Sequence, residues 1–508
     1  MRCMSRYCCI LFAVAVVGAV SVPADAQITR DPEAEAAYTA GKEQLKQEKW
    51  EEAIADFSKA ISIDSGYAEA YLGRADALRA LEDYSTALEN YSHALEMNDQ
   101  LASAYNGRGV CYREMNQIDL ALSDFNNASD LDRRDPEIAA NLGNLLIDPR
   151  VNDPVSALRW LDKAIELDPK NAEAYRNRGW AHAQMREFDQ AIADLKKSIE
   201  LDPEEYETYS TLASIYFFQD DFKSGIEAIS QAIEKYKPKK SSDPEKYISG
   251  YLSRADAKLR LAKKEDTDPA RRKSLFEEVI ADTDVVLGEF PDRYPEAGVA
   301  LLRRGLALRL LGRFAEASKA LTDAIQLVPA GSESPYLAEA YLKRGICWHY
   351  QGQDSLARGD FQEAASIDFE DPLPQLWIGF TYAQEQDYRA AIESYGEAIA
   401  KDPSFALAYV NRGLAYMQLG EFKKAIENFN EAIRNEPTHA SHFYKRGVAH
   451  LRLHEYQKAF DSFHLATLND ENMAEAFDGA AKALKGLGRS ELAAQYERRA
   501  NALKSAGS

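Results

Sequence analysis

Small, apolar and polar residues recur along the chain with a period of about 34 residues, from near residue 34 to the C-terminus. The segment that begins at Tyr71, YLGRADALRALEDYSTALENYSHALEMND, shares its aromatic, small and leucine positions with the segments that begin at Tyr175 and Tyr409. Within each period, two amphipathic stretches with helical spacing flank a short polar turn. Each period therefore predicts a pair of antiparallel helices.

The positions of each period can be numbered as slots, with slot 8 at the Gly of a recurrent Arg-Gly pair, as in Gly179. Slots 4, 8 and 11 then form one stripe of the first helix, and slots 20, 24 and 27 form the facing stripe of the second helix. Small residues in slots 8 and 20 let the helices approach closely, and the large residue in slot 24 fills the space beside them. A Pro in slot 32, such as Pro169 or Pro403, ends the second helix because it cannot donate a backbone hydrogen bond.

This pattern resembles the tetratricopeptide repeat family. The resemblance implies an all-α fold, a right-handed α-solenoid of about 13 stacked helix-turn-helix units. It also implies an interaction scaffold whose concave face is formed by slots 2, 5, 9, 12 and 13 of the first helices. The family does not name the partner, because one fold carries many functions.

Irregularities divide the predicted array into parts. Residues 27–247 hold six units, of which the fourth carries two extra residues near Asp148. Residues 248–297 hold a divergent unit with about twelve extra residues between its helices, and residues 298–508 hold the remaining units and a polar capping helix. We expect the insertion, in residues 260–275, to form a surface loop, with a binding excursion or a bend in the array as alternatives.

The first 26 residues differ from the repeats. Arg2 and Arg6 precede an apolar run of about 15 residues, and Ala24 and Ala26 supply small residues before a cleavage site. Residues 1–26 are therefore predicted to be a secretory signal peptide, since the run is short for a membrane-spanning helix. We expect export to the periplasm or the extracellular space and no membrane span after cleavage; retention of the segment as an anchor is the alternative.

The charge and the cysteines narrow the possible partners. A formal net charge of −21 disfavours nucleic acid, which is itself a polyanion, and favours a neutral or basic protein or peptide. Beyond the first 26 residues the sequence keeps Cys111 and Cys347, both in slot 10 of units far apart in the array. We expect buried, unreactive thiols and no disulfide between them.

An arginine fills slot 7 in eight units, and an aspartate often fills slot 23 of the facing helix. The spacing predicts ion pairs within a unit, Arg108–Asp124, Arg178–Asp194 and Arg344–Asp360, rather than a basic ladder for an acidic ligand. The eight arginines are Arg74, Arg108, Arg178, Arg254, Arg304, Arg344, Arg412 and Arg446.

Motifs for catalysis or metal binding are weak. The sequence has no phosphate-binding Gly loop, no HExxH motif and no nucleophile elbow, so we expect no enzyme activity and no cofactor. His450 and His454 have a spacing that metal sites use, but no Cys or acidic residue completes a ligand set, and we expect no metal.

The slots of the implied concave face change in character along the chain. In units 1–6 they are mostly polar, with Lys42, Asp76, Arg79, Arg113, Asn144 and Arg176. In units 8–12 they are apolar and, having no helix of their own stack to cover them, are the predicted partner-binding residues. These are Leu302, Leu306, Leu342, Ile346, Tyr350, Leu376, Phe380, Val410, Leu414, Met417, Tyr444, Val448 and Leu451.

The sequence thus favours an exported scaffold that binds a protein or peptide through its concave face. A binding module for an envelope polymer such as a glycan, and a regulatory subunit of an enzyme complex, are the alternatives. The oligomeric state does not follow from the sequence.

Overall fold

The computed structural model describes residues 30–236, 244–264, 268–329, 334 and 336–506, which form 26 helices and no strand. The predicted signal peptide, residues 1–26, lies outside these residues. The chain divides into two compact units, one ending at Pro203 and the other starting at Glu204. The array boundary predicted at residue 247 stays a prediction.

The first compact unit contains ten helices. They are α1 (Pro32–Lys46), α2 (Trp50–Ile63), α3 (Ala68–Ala80), α4 (Tyr84–Met97), α5 (Ala102–Glu114), α6 (Ile118–Leu131), α7 (Pro136–Leu146), α8 (Pro154–Leu167), α9 (Ala172–Gln184) and α10 (Phe188–Leu201).

The second compact unit contains the other helices of the described chain. They are α11 (Tyr206–Phe218), α12 (Phe222–Tyr236), α13 (Pro244–Lys263), α14 (Pro269–Glu289), α15 (Glu296–Leu310), α16 (Phe314–Gln326), α17 (Leu337–Tyr350), α18 (Asp354–Ile367), α19 (Leu373–Gln384), α20 (Tyr388–Lys401), α21 (Ala406–Gln418), α22 (Phe422–Asn435), α23 (Ala440–Arg452), α24 (Tyr456–Asn469), α25 (Ala474–Gly486) and α26 (Ser490–Ala506).

Each odd-numbered helix packs against the even-numbered helix that follows it, and within each compact unit that hairpin packs against the next one. The predicted all-α fold of helix-turn-helix units is therefore confirmed, with stacked helix pairs within each compact unit.

The slot-24 side chain is the wedge that joins neighbouring hairpins. Phe57 is fully buried and lies between Gly41 of its own hairpin and Gly73 of the next. A Cβ atom added at Gly41 would lie 2.7 Å from the Phe57 ring, and one added at Gly73 would lie 2.5 Å from it. Because these distances are below van der Waals contact, a side chain larger than hydrogen would push the hairpins apart.

Among the described residues, the turn of every hairpin except the seventh has one residue in the left-handed backbone region, at slot 15 in all but the fourth. Asn116 has a φ of 63° and Gly420 a φ of 76°. In the fourth hairpin the left-handed residue is Asn152, two positions later than slot 15. This shift confirms the two extra residues predicted near Asp148.

The seventh hairpin corrects one expectation. Its helices α13 and α14 have 20 and 21 residues, against 13 and 14 in α9 and α10, so most of the extra residues lengthen the helices instead of forming a surface loop. Leu261, Leu275 and Phe276 of the added turns are buried against each other and their neighbours, which explains why these turns are helical. Asp268 caps α14 by accepting a hydrogen bond from the backbone N–H of Arg271. Residues 265–267 lie outside the described residues.

Candidate interaction surface

The predicted partner-binding residues do not all reach the surface. Five are buried, with exposed fractions of 1% to 6%. Four of them fill slot 5, where the side chain packs into the core between neighbouring hairpins, so the expectation that no helix covers these positions is wrong there. The buried residues are Leu302, Leu342, Ile346, Leu376 and Val410.

The other predicted residues keep part of their side chains accessible. Leu414 is 39% exposed and Tyr350 is 57% exposed, and the rest are half-buried. Most of them fill slots 9, 12 and 13 of the first helices, and we call this set the apolar strip. It consists of Leu306, Tyr350, Phe380, Leu414, Met417, Val448 and Leu451, whereas the half-buried Tyr444 fills slot 5.

An aromatic cluster surrounds the middle of the apolar strip. The exposed ring of Tyr350 stacks on Phe314, with ring centroids 4.7 Å apart and an interplanar angle of 9°. His349 makes an edge contact with Phe380 at 5.3 Å, while its Nδ1 lies 2.6 Å from Asp354 Oδ1. Edge-to-face and offset contacts of this kind hold aromatic rings in fixed orientations. Tyr350 is thus an ordered aromatic platform whose other ring face is accessible.

Three of the predicted residues, Tyr444, Val448 and Leu451 of α23, line one cleft of about 540 Å³. Phe463, the slot-24 wedge of the same hairpin, also lines the cleft. Its ring packs against Gly479 of α25. The volume lies within the range of protein pockets that hold small ligands or single peptide side chains. The cleft thus gives these three predicted residues one shared concave surface.

Charged side chains of both signs rim this cleft. Lys482 Nζ lies 2.7 Å from Asp478 Oδ2, and this hydrogen bond holds the pKa of Asp478 below its usual range. The remaining charges of the rim are Arg452, Glu475 and Lys504. The cleft therefore combines apolar and charged side chains, a mixture that protein-recognition sites also show.

The same slots in the first compact unit form a polar network. Tyr91 donates its hydroxyl hydrogen to Asp76 Oδ1 at 2.7 Å, and Arg79 Nε donates to the Tyr91 hydroxyl at 3.2 Å. Burial raises the pKa of Asp76 from 3.8 to about 6, although Tyr91 and Arg79 partly offset this effect. Further along, Asn106 Nδ2 donates to Glu137 Oε1 at 3.3 Å. These slots therefore hold hydrogen-bonded polar side chains in the first compact unit, whereas the apolar strip belongs to the second.

The predicted ion pairs of slot 7 are confirmed. Arg108 Nε lies 2.7 Å from Asp124, Arg178 Nη2 lies 2.7 Å from Asp194 and Arg344 Nη2 lies 2.7 Å from Asp360. The other arginines of this slot also contact polar side chains, and these contacts are Arg74–Asn90, Arg254–Asp282, Arg304–Asp284, Arg412–Asn428 and Arg446–Ser462.

The sequence did not reveal a second partner of these arginines. Arg108 Nη1 donates to Ser92 Oγ at 3.2 Å, and Arg344 Nη1 donates to Thr322 Oγ1 at 3.1 Å. Ser92 and Thr322 belong to the second helix of the preceding hairpin, so each guanidinium group joins two hairpins. Because an arginine presents several donors in a planar fork, one side chain can serve both contacts.

The histidines and cysteines considered in the sequence either contact neighbouring side chains or lie in the core. His450 Nδ1 lies 2.6 Å from Glu455 Oε2, and His454 lies 3.0 Å from the Tyr456 hydroxyl, so these two histidines have separate partners. Cys111 and Cys347 are buried, and burial raises the pKa of both thiols to about 12, which keeps them protonated and unreactive.

Family models match several parts of the chain. One model described as tetratricopeptide repeat matches residues 172–205 and 406–439. A second model with the same description matches residues 72–137. A third, described as TPR repeat, matches residues 41–78, 156–185 and 381–420. Over these segments the chain therefore consists of tetratricopeptide repeats.

Similar proteins cover limited parts of the chain or diverge from it. The human tetratricopeptide repeat protein 13 is 34% identical over 119 residues, which are 23% of this chain and 13% of the human protein. The crystal structure of YrrB, a TPR protein with an unusual peptide-binding site, is 26% identical and covers 35% of this chain and 91% of its own, with a TM-score of 0.30. Yeast Tom70 is 15% identical over 92% of this chain and 96% of its own, with a TM-score of 0.37.

The helices of the described ranges were also compared with the requirements of a membrane span. Each is too short or too polar to cross a bilayer.

Proposed function

We propose that this protein is an exported, non-enzymatic scaffold that binds a protein or peptide partner along the apolar strip and the adjoining cleft. The observation that carries the proposal is the convergence of the apolar side chains of Tyr444, Val448 and Leu451 on one cleft. A contiguous, partly exposed apolar surface on a folded chain typically marks an interaction site.

The spacing of the apolar strip suits an extended or helical peptide. Slots 9 and 12 recur once in each hairpin, so the accessible side chains Leu414 and Val448 offer regularly spaced contacts in consecutive hairpins. The cleft would receive one apolar anchor residue of the peptide, since buried anchors dominate the energy of such complexes. Charges of both signs at its rim would then orient the polar residues beside the anchor.

The overall charge favours the class of partner. At −21, the chain attracts a basic or neutral partner and repels polyanions. A displaced pKa often marks a catalytic group, but two such groups here have structural surroundings. Asp76 accepts a hydrogen bond from the Tyr91 hydroxyl, and the Cys111 thiol is buried, which supports the non-enzymatic part of the proposal. Neither group is therefore presented to a substrate.

Export rests on the pattern of residues 1–26. If these residues are a signal peptide, the protein recovered from the producing cell begins at Gln27 and is found outside the cytoplasm. N-terminal sequencing of the recovered protein, with fractionation of the cells, tests this. Recovery of a cytoplasmic protein that begins at Met1 would contradict export.

Partner binding can be tested with variants that leave the core intact. Leu414→Glu places a charge on the apolar strip, and Val448→Thr makes the cleft polar without changing its shape. Leu468→Glu is the matched control, because Leu468 is 64% exposed on the second helix α24.

The full-length variants would be used to capture proteins from the producing cells, and the affinity of each captured protein would then be measured. We expect a partner whose affinity falls at least about tenfold for Leu414→Glu and is unchanged for Leu468→Glu. Equal retention by all three variants, with unchanged circular dichroism, would show that the apolar strip is not the binding surface.

A further inference from the structure

Glu436, His439 and His442 meet at the joint between the eleventh and twelfth hairpins. Glu436 directly follows α22, His439 directly precedes α23, and His442 lies in the first turn of α23. One potential ligand atom from each residue lies within 4.8 Å of those of the other two. The turn thus gathers two imidazoles and a carboxylate that are spread over seven positions of the sequence.

The contacts within this cluster are short. His442 Nε2 lies 2.8 Å from Glu436 Oε2, and the rings of His439 and His442 stack with centroids 4.3 Å apart. Zinc binds imidazole nitrogen and carboxylate oxygen at about 2.0–2.2 Å, so two ligand atoms on one ion lie about 3.0–3.5 Å apart. The cluster therefore needs small side-chain rotations to enclose an ion, and the exposed Glu436 and His439 are able to make them.

The buried imidazole supplies an independent observation. His442 is 5% exposed, and its Nδ1 has no hydrogen-bond partner within the part of the chain that the structure describes. A buried nitrogen without a partner is costly, so this ring has binding capacity that the fold itself does not use. The contact with Glu436 engages only Nε2 of the His442 ring and leaves Nδ1 without a hydrogen bond in the described chain.

We propose that Glu436, His439 and His442 form a binding site for a divalent transition-metal ion, with zinc as the reference ion. Two imidazoles and one carboxylate are a donor set that zinc accepts, and water would complete the coordination. The ion would join the end of one hairpin to the start of the next. This site is separate from the His450 and His454 pair considered in the sequence, and its acidic ligand is Glu436.

The test uses full-length protein carrying a tag without histidine and freed of metal with a chelator. Zinc binding is measured by calorimetry, and cobalt(II) absorption reports the ligands directly. His439→Ala and Glu436→Gln each remove one exposed ligand, so neither change disturbs the core. His454→Ala is the matched control, because His454 is an exposed histidine of the same hairpin.

We expect one equivalent of zinc on the unmodified protein and on His454→Ala, and binding at least about tenfold weaker on the two ligand variants. The cobalt spectrum should change in the same two variants. Absence of saturable zinc binding would overturn the proposal, and so would unchanged affinity in His439→Ala. Loss of binding in His454→Ala would place the ion elsewhere and would also overturn it.

Discussion

The carboxyl group of Asp76 is predicted to destabilise the folded protein at neutral and alkaline pH. Burial raises its pKa to about 6 in the folded chain, against an ordinary value of 3.8. Well below pH 3.8 the group is protonated in both the folded and the unfolded chain and carries no penalty; between pH 3.8 and 6 the unfolded chain ionises first, so stability begins to fall. As the pH rises through 6, the folded chain must hold a charged group in an unfavourable site, and stability is lost.

The size of this effect follows from the two pKa values. One pKa unit corresponds to about 1.4 kcal/mol, so the full difference corresponds to roughly 3 kcal/mol at pH 8. Asp76 is half-buried, and solvent screening together with the lost attraction to Arg79 reduces the expected gain. We expect Asp76→Asn to stabilise the protein by about 1 kcal/mol at pH 8 and to have little effect near pH 4, because Asn can still accept the Tyr91 hydrogen bond.

Thermal unfolding of the full-length protein, followed by circular dichroism from pH 4 to pH 8, measures this effect. Asp124→Asn is the control of opposite sign, since Asp124 accepts two hydrogen bonds from Arg108 at 2.7 and 2.9 Å. That change should destabilise the protein by about 1–2 kcal/mol at pH 8. A gain for Asp76→Asn that is the same at pH 4 and pH 8, or a loss at pH 8, would refute the reasoning.

Four further substitutions test other parts of the structure. Gly420→Ala should destabilise the protein by about 1 kcal/mol, because Gly420 has a φ of 76°. Gly359 also has open space around it but lies within α18, so Gly359→Ala should stabilise the protein by about 0.5–1 kcal/mol. Calorimetric shifts of the same sign for the two variants would contradict this. Burial lowers the pKa of His450, so its protonation favours unfolding and stability is lost as the pH falls from 7 to 5. His450→Tyr should flatten the melting temperature over that range, and an unchanged slope would count against this assignment. Leu376→Glu should unfold its hairpin by burying a charge, so a native circular dichroism spectrum would show that slot 5 is not core.

Features that depend on residue type at a fixed slot could be predicted from the sequence. The wedge of Phe57 and the pair of Arg108 with Asp124 follow from helical spacing within one hairpin. The stagger between hairpins could not be predicted, because the repeat pattern alone does not give the angle at which they stack. That stagger buries Leu342 in slot 5 and brings Ser92 to the arginine of the next hairpin.

Two further features depend on local backbone geometry. The insertion of the seventh hairpin reads as a loop when it is counted against the regular period, but its apolar spacing, with Leu261 and Leu275 buried, continues that of the helices. Glu436 and His442 meet because the turn between α22 and α23 reverses the chain, and spacing within one helix gives no sign of this contact. The apolar spacing of the seventh hairpin was visible in the sequence, whereas the contact between Glu436 and His442 was not.

The proposed function requires that the partner lies on the apolar strip when it is bound. Site-specific photocrosslinking measures the position of the partner most directly. A photoreactive amino acid is placed at position 414 in one preparation and at position 468, in the second helix α24, in another. We predict that the partner crosslinks at position 414 and not at position 468. Crosslinking at position 468 alone would contradict it, because the partner would then bind the second helices and the apolar strip would be part of the scaffold only.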